Sequence, residues 1–184
     1  MTVVEKTTSA IPAEGTWSAD EKHSSATFAV RHAAGTFRGG FRGFEAKLEA
    51  NDGDPRLTGR VAVENIDIDD EDIRPHLLAP DFFDVERTPK VSFTSTSIEA
   101  DGDELVVRGE LEIRGAKHEV TARGHATDVI EIPGGGERFG LELSTTIDRT
   151  DYGLDWNMEL PNGGTVLGNE VELVASLELS REEK

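Results

Sequence analysis

Between about residue 15 and residue 180, apolar and polar side chains alternate with a period of two, the mark of half-buried strands. In the run from Glu104 to Gly115, Leu105, Val107, Gly109, Leu111 and Ile113 fall on one face, with Arg108, Glu110, Glu112 and Arg114 opposite. Val120, Ala122, Gly124 and Ala126 continue the pattern, as do Phe139, Leu141, Leu143, Thr145 and Ile147, and then Val171, Leu173, Ala175, Leu177 and Leu179. Eight strands are predicted, over 24–32, 36–50, 56–68, 90–100, 104–114, 117–132, 137–149 and 166–180. Turn residues separate many of them, at Asn51–Pro55, Asp101–Asp103, Pro133–Gly136 and Asn162–Gly164. One segment breaks the alternation: Asp70–Pro80, with Ile73, Leu77 and Leu78, predicts one or two helical turns with Pro75 near the start and Pro80 as the stop. Residues 1–14 are expected to form a flexible tail ahead of one domain over 15–181, and Ser180–Lys184 to fray.

Short links between long strands make neighbours antiparallel. With one scrap of helix for cover, the apolar face must be hidden in a sandwich or in a sheet closed on itself. The inward face carries Gly59, Gly109, Gly124, Ala122, Ala126 and Ala175, and small side chains there favour a cavity over a solid core. A strand of ~11 residues tilted ~40° spans ~28 Å of barrel height, long enough for an extended apolar chain. A close-packed barrel with glycines serving its bends stays open as the alternative.

Composition narrows the functions. Against 19 Lys and Arg stand 37 Asp and Glu, a net charge of −18 over 184 residues. That balance repels phosphate backbones and anionic lipid headgroups, which argues against nucleic-acid binding and electrostatic docking on membranes. The chain has no cysteine, so disulfides, thiolate metal sites and a cysteine nucleophile are excluded. The first residues lack a basic region followed by an apolar run, and no stretch approaches the ~20 apolar residues of a membrane helix. No stable membrane insertion and a cytoplasmic location are expected.

Enzyme signatures are scarce. His32 shares the apolar parity of Phe28 and Val30, where a hydrogen-bonded structural role is the ordinary one. His118 and His125 have opposite parity, His23 and His76 lie far apart in sequence, and no recognisable metal-ligand spacing exists. Asp67–Asp72 fails as a calcium loop, with Asp72 where a glycine is needed and Leu78 where a glutamate is needed. These carboxylates are better read as loading a helix N-terminus. No serine sits in a nucleophile elbow, and Gly134–Gly136 reads as a hairpin tip. What remains is an aromatic set that includes Phe28, Phe37, Phe41, Phe82, Phe83, Phe93, Trp17 and Trp156. Rings and small residues inside a barrel make an apolar tube with polar groups near its end.

Several stretches, in order, resemble the YceI-like family, the lipocalin-like polyisoprenoid-binding proteins. They are Trp17–Asp20 with His23–Ser24, Phe28–His32, Gly35–Phe37, Phe41–Phe44, Arg74–Leu77, Asp81–Asp84, Thr88–Phe93, Leu111–Gly115, Ile147–Arg149, Asp151–Gly153 and Leu167–Gly168. The resemblance implies an all-β fold, an elongated eight-stranded antiparallel barrel with a short helical segment near 70–79. It implies an interior that holds a long isoprenoid, such as a polyprenyl phosphate or a respiratory-quinone tail, for carriage, storage or sequestration, without catalysis. No cofactor is implied beyond the lipid ligand, and homodimers are common in the family. Many members carry a signal peptide and act in the periplasm, and this chain departs from them there. Matching motif positions makes Phe28, Val30, His32, Phe37, Phe41, Arg74, Leu77, Phe82, Phe83, Phe93, Tyr152 and Trp156 the expected wall or mouth residues. The acidic charge favours a neutral, quinone-like head over a phosphate, unless Arg74 or Arg149 lies within a screening length of about 8 Å. Two other readings stay open: an enzyme on a bound lipid with His32 as general base, and a structural barrel packed solid.

Overall fold

The computed structural model describes residues 7–8, 10–51 and 53–183. Residues 1–6 and 9 of the expected tail, Asp52 of the first expected turn and Lys184 lie outside the described residues. Ahead of the barrel, β1 (Thr7–Thr8) runs antiparallel to Thr127 and Ala126. Each later run pairs antiparallel with the one before it, and the last pairs with the first, so eight staves close into a barrel.

Three staves are broken. The first joins β2 (Thr16–Ala19) to β3 (Ser25–His32) through a 3-10 turn over Glu21–His23, capped by the Asp20 carboxylate. The second joins β4 (Gly35–Phe41) to β5 (Glu45–Glu49) across Arg42–Phe44, where Gly43 takes a φ of +63°. The third joins β6 (Arg56–Ala62) to β7 (Ile66–Asp67) through a 3-10 turn over Val63–Asn65. The breaks lie side by side, since β2 pairs with β5 while β3 pairs with β4, and Arg42 N donates to Asn65 O at 3.1 Å. The uninterrupted strands predicted over 36–50 and 56–68 are corrected accordingly, and a strand over Thr16–Ala19 joins the list.

A 3-10 turn over Glu71–Ile73 and the short helix α1 (Arg74–Leu78) follow, with Asp70 capping the first of these and Pro75 in the first turn of α1. The remaining staves are β8 (Lys90–Asp101), β9 (Glu104–Ile113), β10 (Ala116–Thr127), β12 (Gly136–Asp148) and β13 (Leu167–Arg181). Between β10 and β12 lies β11 (Ile130–Ile132), which pairs with the start of β12, so the single strand predicted over 117–132 is two. Nor does the C-terminus fray at Ser180: β13 continues through Arg181, which pairs in register with Trp17.

The two ends of the barrel differ. At one end the connections are the turns near 51–55, 102–103 and 133–135; at the other lie the long segments 68–89 and 149–166. The core divides in the same way. Around the first end, Trp17, Leu48, Leu105, Ala126, Phe139 and Leu179 pack almost completely out of solvent, with the Trp17 ring edge-on to Phe139 at 5.1 Å. That end is a plug. Around the other, Val30, Ile66, Leu77, Phe82, Ile113 and Ile147 form a second cluster, with partly buried aromatic rings against it.

Candidate ligand-binding site

Beneath the long connections, at the mouth, the second cluster surrounds a cavity of about 600 Å³, within the ~300–1,000 Å³ usual for small-molecule sites. A smaller cavity of about 210 Å³ lies deeper, and the two share walls at Phe28, Phe41, Val91 and Leu173. From Leu167 to Leu177, β13 contributes to one cavity and then the other, a path of about 25 Å at ~3.3 Å per residue and ~40° of tilt. Below that the Trp17–Phe139 plug closes the tube.

Ten of the twelve residues singled out from the sequence line these cavities. Val30, His32, Phe37, Leu77, Phe82, Phe83 and Trp156 belong to the larger one, Phe93 to the smaller, and Phe28 and Phe41 to both. His32 stands exposed at the end of β3, on the rim rather than deep inside. Arg74 and Tyr152 are corrections. Arg74 faces away, its Nε donating to Glu71 Oε2 at 2.6 Å and its Nη1 to the Glu64 carbonyl. Tyr152 is buried behind the wall with its ring edge-on to His118 at 4.9 Å. Burial, reinforced by Asp151, pushes the Tyr152 hydroxyl up to about 12.

The space does not come from every small residue on the inward face. Gly59, Ala122 and Ala175 do line the smaller cavity. At Gly109, however, a Cβ would lie 2.5 Å from the Phe93 ring, so an aromatic ring already fills that gap. At Gly124 it would lie 1.7 Å from the Glu142 carbonyl oxygen, so that glycine serves close backbone approach. Ala126 is fully buried in the plug. The cavity is set instead by alanines at one height and by the roof over the mouth.

Polar residues of the lining outside the twelve include Arg149, which the sequence offers only as a possible counter-charge to a phosphate, and His76. Arg149 is only 3% exposed. Its Nε donates to Gly168 O at 2.8 Å, and its Nη1 to Trp156 O at 2.9 Å and to Leu154 O, which ties the 154–156 segment over the mouth to β13. Nη2 is buried with no hydrogen-bond partner among the described residues, and desolvation lowers the guanidinium pKa. The signal was present, because Arg149 continues the inward parity of Phe139, Leu141, Leu143, Thr145 and Ile147. His76 sits on α1 with its ring edge-on to Trp156 at 4.6 Å, and its Nε2 is likewise buried without a partner among the described residues. A five-residue helix offers no periodicity from which to read that placement.

A metal-like grouping lies away from the cavity. Asp20, His23 and Glu178 bring ligand atoms within 4.8 Å of one another. Arg138 Nη1 already donates to Asp20 at 3.0 Å and to Glu178 at 2.6 Å, supplying the positive charge those carboxylates need. The hydrogen bond from His23, with smaller contributions from Lys22 N and Arg138, holds Asp20 below the usual carboxylate range. No helix among the described residues is long and apolar enough to cross a membrane.

Comparison with known proteins places this geometry. The family model described as the YceI-like domain matches residues 17–179. A UPF0312 protein from Staphylococcus epidermidis is 32% identical over 166 residues, covering 88% of this chain and 95% of its own. One from Staphylococcus aureus is 30% identical over the same length. Among solved structures, Burkholderia cenocepacia BcnA aligns with a TM-score of 0.71 at 20% identity, over 87% of this chain and 98% of that one. A polyisoprenoid-binding domain from Saccharophagus degradans aligns at 0.69 and 12% identity, over 92% of this chain and all of that one.

Proposed function

The chain belongs to the YceI-like domain family, and from that premise we propose that it binds a long isoprenoid lipid in the barrel without chemically changing it. The observation that carries this reading is the apolar path from the mouth cavity to the smaller one, stopped by the plug. A path open at one end and sealed at the other suits a linear apolar tail with a distinct head. The likeness to a polyisoprenoid-binding domain supports the same ligand class.

Energetics are adequate for such a tail. Each buried methylene contributes about 0.8 kcal/mol, so an isoprene unit contributes roughly 3–4 kcal/mol gross. Against an association cost of about 4–15 kcal/mol, three to five buried units reach micromolar affinity or better. The net charge of −18 disfavours a phosphate head, and although Arg149 lines the cavity its Nε and Nη1 are already held by backbone carbonyls, which leaves a neutral, quinone-like head as our reading. Carriage or sequestration fits better than turnover. Among the described residues no carboxylate hydrogen-bonds the ring of His32 or His76, so neither has the orienting partner that a general base ordinarily uses.

The test is to purify the protein without detergent, extract it with organic solvent and identify the extract by mass spectrometry. An isoprenoid near one equivalent is expected. An empty extract, together with no uptake of an added prenyl chain by the stripped protein, would overturn the proposal.

A further inference from the structure

The tail site explains affinity but not why a guanidinium donor and an imidazole nitrogen, itself a donor in the Nε2–H tautomer, stand without partners inside a largely apolar chamber. Burying a donor without an acceptor is costly, more so for a charged group, and such atoms in a cavity wall point to an acceptor on the ligand. Arg149 Nη2 and His76 Nε2 are those atoms, and both residues touch Trp156. Arg149 donates to the Trp156 carbonyl, and the His76 ring lies edge-on to the indole of the same residue.

The arrangement also discriminates among acceptors. A phosphate is best held by the guanidinium fork, two nitrogens donating in parallel. Here Nε and Nη1 are committed to three backbone carbonyls, so Nη2 is the nitrogen left to donate. Asp70, exposed at the rim with its carboxylate capping the 3-10 turn, adds negative charge near the mouth rather than a counter-charge for an anion. Around these nitrogens the rings of Trp156, His76, Phe82 and Phe83 follow one another at centroid distances of 4.6, 5.9 and 5.4 Å, the first and last pairs edge to face and the middle pair tilted. Such walls accept a flat ring.

Resting on the isoprenoid-binding reading, we propose that Arg149 Nη2 and His76 Nε2 form a head-group subsite that takes the carbonyl oxygen of an uncharged planar head and selects it over a phosphate. The head then lies under α1 and the 154–156 segment, and the tail runs past Phe28 and Phe41 toward the plug.

The experiment compares three probes with matched farnesyl-type chains on lipid-stripped protein: a farnesyl-substituted benzoquinone, farnesyl monophosphate and the headless hydrocarbon farnesane. The readout is the ratio of their affinities in the native chain, in H76F and in R149K. H76F keeps an aromatic ring against Trp156, whereas R149K keeps the charge but gives up the three carbonyl bonds. The native chain is expected to prefer the quinone to farnesane by about tenfold to a hundredfold, the range of one hydrogen bond to a charged group. It is also expected to bind the quinone more tightly than the phosphate, and each variant should reduce the quinone-to-farnesane ratio about tenfold. If R149K does not fold, H76F decides. An unchanged ratio in the folded variants, or a phosphate bound more tightly than the quinone, overturns the subsite while leaving the tail site standing. A native chain that takes up none of the probes overturns the isoprenoid reading, and the subsite with it.

Discussion

Adding one methyl group at Gly39, Gly59 or Gly124 meets three different surroundings. At Gly59 the nearest atom to a new Cβ is the Glu45 carbonyl at 3.5 Å, an ordinary contact. Gly59→Ala is therefore expected to leave stability within about 1 kcal/mol, with a small gain from the stiffer unfolded chain. At Gly39 the Phe28 ring lies 2.6 Å away, so Gly39→Ala must push that ring into the cavity at about 1–2 kcal/mol. At Gly124 the obstacle is backbone at 1.7 Å, and Gly124→Ala is expected to cost about 3 kcal/mol or more. Urea midpoints at constant slope check the order of the three. Tyr152 gives a pH signature. Its hydroxyl is buried without a partner among the described residues, and its pKa is raised to about 12. Between its unfolded value near ~10 and ~12, the unfolded chain sheds this proton while the folded one keeps it, so stability falls as pH rises through that window. Tyr152→Phe is expected to flatten that fall and to leave neutral-pH stability unchanged or slightly higher, as alkaline melting curves would show. None of these distinctions is legible in the sequence. Parity says that Gly39, Gly59 and Gly124 face inward, but whether a ring, open space or a neighbouring strand lies in front of each depends on register.

At the scale of elements, Arg114 shows how a turn and a roof are joined. Ile113 pairs with Ala116, leaving Arg114 and Gly115 as a two-residue hairpin turn with φ of +54° and +76°. Both values suit a type I′ turn, in which asparagine and glycine are preferred and arginine is not. The strained arginine has compensation: its guanidinium donates to Gly153 O and, at 2.9 Å, to Pro80 O, clamping both long connections to the mouth. Arg114→Asn keeps a residue that tolerates the turn and removes the clamp. The expected outcome is a global stability within about 1 kcal/mol of the parent, with faster hydrogen exchange confined to the amides near Phe82 and Leu154 and faster ligand release. Equal protection of those amides in both proteins would count against the clamp. The sequence disclosed the hairpins marked by Asp101–Asp103 and Pro133–Gly136, because their residues carry turn chemistry of their own. It disclosed α1 through its prolines and acidic cap. The breaks at Arg42–Phe44 and Val63–Asn65 do leave a trace, because an odd number of residues inverts a two-residue period: the inward positions are odd through Phe41 and Val63 and even from Phe44 and Ile66 onward, a change of phase that strands drawn unbroken over 36–50 and 56–68 pass over.

Over the whole molecule, the division between plug and cavity is a matter of height along the barrel axis, which a period of two cannot encode. Alternation sorts residues into inside and outside. Which inside residues share a level follows from the stagger between strands, and that stagger brings Ala26, Ala46, Ala122 and Ala175 together around the smaller cavity while Trp17 and Phe139 meet below it. The family resemblance supplied the fold, whereas the place of Arg149 and His76 in the cavity wall follows from the roof over the mouth. If the smaller cavity receives the end of the tail, it acts as a ruler. Ala175→Leu fills part of it, and two effects with opposite signs follow. The empty protein should gain stability, because filling a cavity recovers about 24 cal/mol per Å³ when the added side chain fits without strain. Ligand-induced stabilisation should fall selectively, because a ligand that binds only the folded state adds RT ln(1 + [L]/Kd), about 2.7 kcal/mol at a hundred times Kd. A tail long enough to pass Phe28 and Phe41 loses its end site, whereas a shorter one does not reach it. The ratio of long-chain to short-chain affinity is thus expected to drop about tenfold while the empty variant melts higher than the empty parent. Thermal melts with a series of prenyl chain lengths measure both at once, and a ratio that stayed constant would mean that the tail ends in the upper cavity.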